Sequence, residues 1–267
     1  MNSPRVLITG AASGLGRALA IRFAQAGCRI CVADINAERA QETIDAIDRT
    51  EGEGFFEQLN VTEKDAFARA RLACENVWGG IDILINNAGV ASGGPFDWLS
   101  EDDWDYVMDI NFKGVLRGCQ AFVPDFKTRK QGHIVNIASM AGLLNPPGMS
   151  NYNVSKAAVV SLSETLAVEL APFNVGVTCV CPSFFKTNLA ESMRTPDTAT
   201  EKSLEKLMDT SSDITAEDIA DQVYQAVQSR QFLVMPHVRA REAWAFKCQD
   251  LDGYLRSSLK IAENVAA

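Results

Sequence analysis

The feature that most restricts how this chain can fold is an alternation, running from residue 5 to residue 181, of short β-branched runs with longer helical patterns. Arg5–Thr9 is apolar and strand-like, and residues 14–26 read as helix with Leu15, Leu19 and Phe23 on one side. Residues 28–33 form the next strand, followed by a polar helix over 36–49. Residues 55–59, 63–78 and 81–85 continue as strand, helix and strand, and a long helix covers 101–126. A buried strand over 134–138, a helix over 150–172 and a strand over 175–181 complete the pattern. Strand–helix–strand units at this rhythm are right-handed crossovers, so the expected class is α/β, a doubly wound parallel sheet with helices on both faces. There is no internal repeat and no Pro/Ser-rich linker. The strongest compositional break, over 191–213, reads as part of a flap (187–213) inside a single domain spanning 1–267.

Composition enters as a filter. A net charge of -9 argues against a broad nucleic-acid surface, which needs clustered Lys and Arg. No run approaches the roughly 20 apolar residues of a membrane-spanning helix, and the N-terminus lacks a signal-peptide core. The seven cysteines are odd in number and only His133 and His237 could join them as nitrogen ligands, so neither a metal site nor a disulfide framework is expected. A cytoplasmic location is the expectation.

Three places carry chemistry. The first is Thr9-Gly10-Ala11-Ala12-Ser13-Gly14-Leu15-Gly16, between the first strand and the first helix. Glycines there let the backbone turn tightly and approach a pyrophosphate, whose charge sits at a helix N-terminus. A Gly-rich turn alone is weak evidence, but its strand-to-helix context is the one the mechanism requires, and the Gly-Lys-Ser/Thr ending of an ATP-binding loop is missing. The second is Asp34, at the end of the second strand. Its carboxylate suits adenosine ribose hydroxyls and repels a 2′-phosphate, and Ile35 follows it where a cation would be needed, so NAD is expected over NADP. Arg17 is either a phosphate ligand or a solvated helix residue.

The third is Tyr152-Asn153-Val154-Ser155-Lys156, in which Tyr152 and Lys156 lie one helical turn apart. An ammonium beside a phenol favours phenolate, so the expectation is a lowered Tyr152 pKa and an acid/base useful near neutral pH. A surface tyrosine beside a surface lysine is the plain alternative. Ser139, at the end of a strand thirteen residues earlier, favours the chemical reading because its hydroxyl can bond a substrate oxygen while Tyr152 exchanges the proton.

Taken together, these residues resemble the short-chain dehydrogenase/reductase family, over about residues 5–190. The resemblance rests on the TGAASGLG turn, Asn86-Asn87-Ala88-Gly89, Asn111, Ser139, and Tyr152 with Lys156. It implies one Rossmann-type domain with a seven-stranded parallel sheet, hydride transfer between nicotinamide and an alcohol or ketone carbon, and a homodimer or homotetramer joined through the helices near 101–126 and 150–172. It also implies that Tyr152 is the general acid/base, that Ser139 polarises the substrate oxygen, and that Lys156 binds the nicotinamide ribose. Asn111 would hold a water in a proton relay. Asn87, Ala88 and Gly89 would let the cofactor pass close to the backbone, Asn60 and Val61 would lie beside the adenine, Phe185 and Thr187 beside the carboxamide, and Pro182 would also contact the cofactor. Two departures stand out: Asn60 replaces the usual Asp, leaving an amide oxygen to accept from the adenine, and Pro182-Ser183 replaces a Pro-Gly turn.

Leu143, Leu144, Phe184, Phe185, Leu189 and Met193 are the candidate lining of the substrate end. They point either to a substrate with a sizeable hydrophobic part or to a flap that merely packs on the domain. Over 237–261 an amphipathic helix is expected, with Trp244, Cys248, Leu251, Leu255 and Leu259 as its apolar stripe. From Arg230 to Lys260 six basic residues face three acidic ones, so that helix packs on its own protomer, on a partner copy or on a membrane surface. A catalytically silent NAD-binding regulator is the alternative function, and all four catalytic positions argue against it. A nucleotide-sugar epimerase or dehydratase would have a differently spaced glycine motif and a longer C-terminal region. A serine hydrolase lacks its G-x-S-x-G elbow.

Overall fold

The structure is a computed structural model that describes residues 3–185, Thr195 and residues 213–266, with 260–266 described through the backbone alone. Thr187, Leu189, Met193 and most of the expected flap lie outside the described residues. Seven strands form one sheet in the order β3-β2-β1-β4-β5-β6-β7, every neighbouring pair parallel. They are β1 (Arg5–Thr9), β2 (Arg29–Asp34), β3 (Glu53–Gln58), β4 (Ile83–Asn86), β5 (Gly132–Ile137), β6 (Val175–Val180) and β7 (Leu233–Val234). β1, β4 and β5 are near-continuous apolar runs because both of their faces are covered.

On one face Val6, Ile8, Ile30, Val32, Ile85 and Val180 pack against α1 (Gly14–Gln25) and α2 (Ala37–Ile47), together with a helix over Ala216–Ser229. On the other, Leu7, Cys31, Leu84, Ile134, Cys179 and Cys181 meet α3 (Ala66–Trp78), α5 (Gly114–Arg129) and α7 (Ser150–Leu170). Between α3 and α5 lies α4 (Glu101–Met108), and α6 (Ala141–Leu144) is a short turn before α7. The helix over Ala216–Ser229 is α8, and α9 (Val238–Gln249) and α10 (Leu251–Ala266) close the chain. The seven cysteines are free thiols. Among the described residues no helix is long and apolar enough to cross a membrane, and no cluster of side chains is fit to hold a metal.

Two sequence expectations need correcting. The helix over 101–126 is not uniform: a π-helical turn, Asp109–Lys113, separates α4 from α5 and contains Asn111. The expected helix over 237–261 is two helices, broken at Asp250, whose backbone is extended (φ -144°, ψ 87°). Its stripe therefore splits. Trp244 packs against the core, whereas Leu251, Leu255 and Leu259 stand 52%, 53% and 60% exposed. The seventh strand is only two residues long, too short to produce a readable period.

Candidate active site

The strand order reverses direction between β1 and β4, and the carboxyl ends of these strands open the crevice where ligands bind in doubly wound sheets. A cleft of about 1460 Å³ occupies this edge. It exceeds the roughly 300–1000 Å³ of a pocket for one drug-sized ligand, so it has room for a dinucleotide and a substrate together.

At its first end the β1–α1 turn is shaped by glycines. Gly10 and Gly14 adopt positive φ, 66° and 51°. A Cβ on Gly16 would lie 2.1 Å from the Gly10 carbonyl oxygen and 2.5 Å from Asn87 Nδ2, so no side chain fits there. The Asn87 amide donates to the carbonyls of Thr9 (2.9 Å) and Gly10 (3.2 Å), and Thr9 Oγ1 accepts from the backbone N–H groups of Asn87 and Ala88. This ties the two strand ends together across the crevice. Ser13 caps α1 without a side-chain hydrogen bond. The helix N-terminus thus faces the cleft without a side chain over it, a cradle that fits a pyrophosphate.

Asp34 lines the cleft, its carboxylate accepting from Ala12 N (2.9 Å) and Asn36 N (3.0 Å). Arg17 does not line it; its guanidinium bonds Glu42 (2.7 Å) and Thr43 (3.1 Å) instead. Arg39 does line it. Asn60 and Val61 lie at the same end, but Asn60 Oδ1 already accepts from Thr62 N (3.1 Å) and Thr62 Oγ1 (2.9 Å). The amide oxygen that the sequence reading offered to the adenine is therefore engaged within the loop.

At the other end Ser139, Tyr152 and Lys156 meet. Ser139 Oγ accepts from Ala141 N (3.1 Å), donates to Pro182 O (3.3 Å), and lies within hydrogen-bonding reach of the Tyr152 hydroxyl. Lys156 Nζ donates to Ile137 O (3.0 Å) and lies 5.7 Å from the centre of the Tyr152 ring. Tyr152 sits in the first turn of α7, where its N–H donates to Asn151 Oδ1 (2.8 Å) and its carbonyl accepts from Ser155 Oγ (2.8 Å). Burial pushes the Tyr152 phenol up to about 12, with the Ser139 hydrogen bond opposing, and pulls the Lys156 ammonium down to about 8. The expected lowering of the tyrosine pKa is thus reversed, because desolvation outweighs an ammonium that is held by a carbonyl rather than by the phenol.

Asn111 is buried behind the cleft rather than lining it. Its side chain accepts from Val90 N (2.8 Å) and donates to Val90 O (3.0 Å) and Ser155 Oγ (3.2 Å). It therefore braces the segment after Gly89 against α7, through an amide already bonded on both sides. The departure at Pro182-Ser183 is accommodated by His237, whose Nδ1 accepts from Ser183 N at 3.1 Å. Gly10, Ser13, Gly14, Leu15, Gly16, Asp34, Asn60, Val61, Asn87, Ala88, Gly89, Ser139, Tyr152, Lys156, Pro182 and Phe185 all line the one cleft. Leu144 and Phe184 join them, whereas Leu143 packs against the core instead. The sequence reading missed Met149 and the contributions of α9 and α10, Phe246, Tyr254 and Ser258 among them. Only the three-dimensional return of the C-terminus brings these to the cleft.

The family described as short chain dehydrogenase matches residues 4–198. The chain belongs to it. A 3-oxoacyl-(acyl-carrier-protein) reductase, FabG, from Thermotoga maritima is 36% identical over 201 residues, covering 75% of this chain and 81% of that protein. A crystallised short-chain dehydrogenase/reductase from Burkholderia phymatum, in complex with NAD, superposes with a TM-score of 0.87 at 30% identity, covering 94% of this chain and 95% of that one. A short-chain dehydrogenase from Sphingobium yanoikuyae, in complex with NADPH, gives 0.77 at 26% identity over 96% and 95%. The short-chain dehydrogenase is thus an oxidoreductase of a fold that binds a nicotinamide cofactor.

Proposed function

We propose that this short-chain dehydrogenase uses NAD to interconvert an alcohol and a ketone whose substituents include a sizeable hydrophobic part. The observation that carries the reading is the continuity of the cleft, which joins the β1–α1 turn and Asp34 to Ser139, Tyr152 and Lys156. Gly10, Ser13, Gly14, Leu15 and Gly16 would hold the pyrophosphate, Asp34 the adenosine ribose, and Lys156 the nicotinamide ribose. Bound there, the nicotinamide would supply or accept the hydride. Tyr152 Oη hands a proton to the substrate oxygen in the reductive direction and takes it in the oxidative direction, while the Ser139 hydroxyl holds that oxygen in place. Asn111 acts one step away, by fixing Val90 and Ser155 on either side of the pair.

Asp34 supports NAD because its carboxylate would repel a 2′-phosphate, and Arg17, the cation that directly follows the turn in sequence, is turned away to Glu42. Arg39 is the residue an NADP enzyme would use here. The apolar surfaces of Leu144, Met149, Phe184, Phe185 and Phe246 support the hydrophobic substrate. The seven free thiols support a reducing, cytoplasmic setting.

The test follows nicotinamide absorbance with NAD and NADP in parallel across a panel of alcohols and ketones. Turnover with NAD that Tyr152→Phe lowers by about 100-fold or more is expected for loss of a general acid/base. Preference for NADP would overturn the reading of Asp34. Turnover unchanged in Tyr152→Phe would overturn the assignment of the proton donor.

A further inference from the structure

The two C-terminal helices lie beyond the residues the family matches, 4–198, yet they form one wall of the cleft. Their position is held by specific bonds. Lys247 Nζ on α9 donates to Leu143 O (2.5 Å), and Tyr254 Oη on α10 donates to Leu144 O (2.7 Å). Both carbonyls belong to α6, the turn that begins two residues after Ser139. The break between the helices is itself braced: Asp250 Oδ1 accepts from Gly253 N (2.8 Å), and Phe246 and Tyr254 pack edge to face with ring centres 6.4 Å apart. The C-terminus therefore reaches the substrate end of the site through the segment that carries the substrate-polarising serine.

The polar groups on this wall share one property. Tyr254 has given its only hydroxyl hydrogen to Leu144 O. Ser258 Oγ, beside the Tyr254 hydroxyl, gives its hydrogen to Tyr254 O at 3.1 Å. A hydroxyl carries one hydrogen and two lone pairs, so both groups are left with lone pairs alone to offer to the cleft. The same cleft is lined by the apolar side chains of Leu144, Met149 and Phe246. A ligand fitting this surface has an apolar body, and its far end must donate hydrogen bonds. An ether or a methyl there would cover the two oxygens without bonding them.

We propose that Tyr254 and Ser258 form an acceptor pair that selects alcohols and ketones bearing a hydroxyl or N–H group at the end remote from the reacting carbon. The inference rests on the alcohol–ketone activity proposed above, and the experiment separates the two. Calorimetric titration of the NAD-saturated protein would compare para-hydroxybenzylacetone with its para-methoxy ether, which keeps the apolar body and removes the donor. The wild-type protein binds the hydroxylated ketone about tenfold more tightly, the worth of one well-made hydrogen bond. Ser258→Ala, which leaves the Tyr254 tether intact, narrows that ratio, and Tyr254→Phe with Ser258→Ala removes it. Reduction of the two ketones with NADH, followed by nicotinamide absorbance in the wild-type protein, reads the alcohol–ketone activity separately from binding. Equal affinity of the two ketones for the wild-type protein overturns the acceptor pair, as does failure of both to bind. Absence of reduction of either ketone by the wild-type protein with NADH overturns the alcohol–ketone reading and leaves the calorimetric comparison to stand on its own.

Discussion

Burial moves the two central side chains of the site in opposite directions, because in each it penalises the charged form: the Tyr152 phenol rises to about 12 and the Lys156 ammonium falls to about 8. At neutral pH Tyr152 therefore holds its proton, which in the proposed role suits the reductive direction, whereas oxidation would need the phenolate. The expected pH–rate profiles differ accordingly. Ketone reduction stays level through neutral pH and falls only on the alkaline side, and alcohol oxidation climbs with pH over the same range. Initial rates in both directions between pH 6 and pH 11 would check this, and an oxidation rate that is flat above neutrality would refute it. Residue types and spacing were enough to pick out Tyr152 and Lys156, but not the sign of the tyrosine shift. That sign depends on how far each group is desolvated and on Lys156 bonding Ile137 O, both set by α7 packing against β5.

Among the elements, the β1–α1 unit illustrates how local sequence and a distant strand share a task. Gly10, Gly14 and Gly16 are legible as a turn, but the reason Gly16 cannot carry a side chain is the Asn87 amide, 71 positions away in the chain. In Gly16→Ala the new methyl must displace either the turn carbonyl or that amide. Overpacking of this kind costs about 1–3 kcal/mol. The variant should melt several degrees lower and lose at least tenfold in NAD affinity, readable by thermal unfolding and by titration of NADH fluorescence. Wild-type affinity in a folded variant would show that the turn tolerates the methyl. The π turn around Asn111 was not legible, since its apolar spacing is that of a continuous helix and the extra residue is accommodated only by packing against Val90 and Ser155. The break at Asp250 was missed for the same reason: leucines at 251, 255 and 259 continue the helical spacing of Trp244 and Cys248 across a residue whose backbone has left the helix.

For the molecule as a whole, the sheet sets a limit on acid stability. His133 on β5 is buried, paired with Thr178 Oγ1 at 2.8 Å, and burial with the nearby Arg230 charge pulls its imidazole down to about 4. In the unfolded chain a histidine titrates near about 6.5. Between these values the unfolded chain binds the extra proton, so the contribution is complete above the unfolded pKa and is lost as pH falls toward the folded one. The expected loss is about 2 kcal/mol between pH 7 and pH 5. Denaturant titrations at the two pH values would show it, with His133→Gln flattening the difference; the same acid loss in that variant would place its origin elsewhere. By itself the sequence determined the α/β class, the glycine-shaped β1–α1 turn and the candidate set of Ser139, Tyr152 and Lys156, because hydrophobic period, turn chemistry and one-turn spacing are local properties written into neighbouring residues. Only the tertiary structure decided the protonation bias of Tyr152, the bracing rather than exposed placement of Asn111, and the return of α9 and α10 to wall the cleft. Those depend on desolvation and on which donors meet which acceptors across segments far apart in the chain, and such contacts leave no period to read.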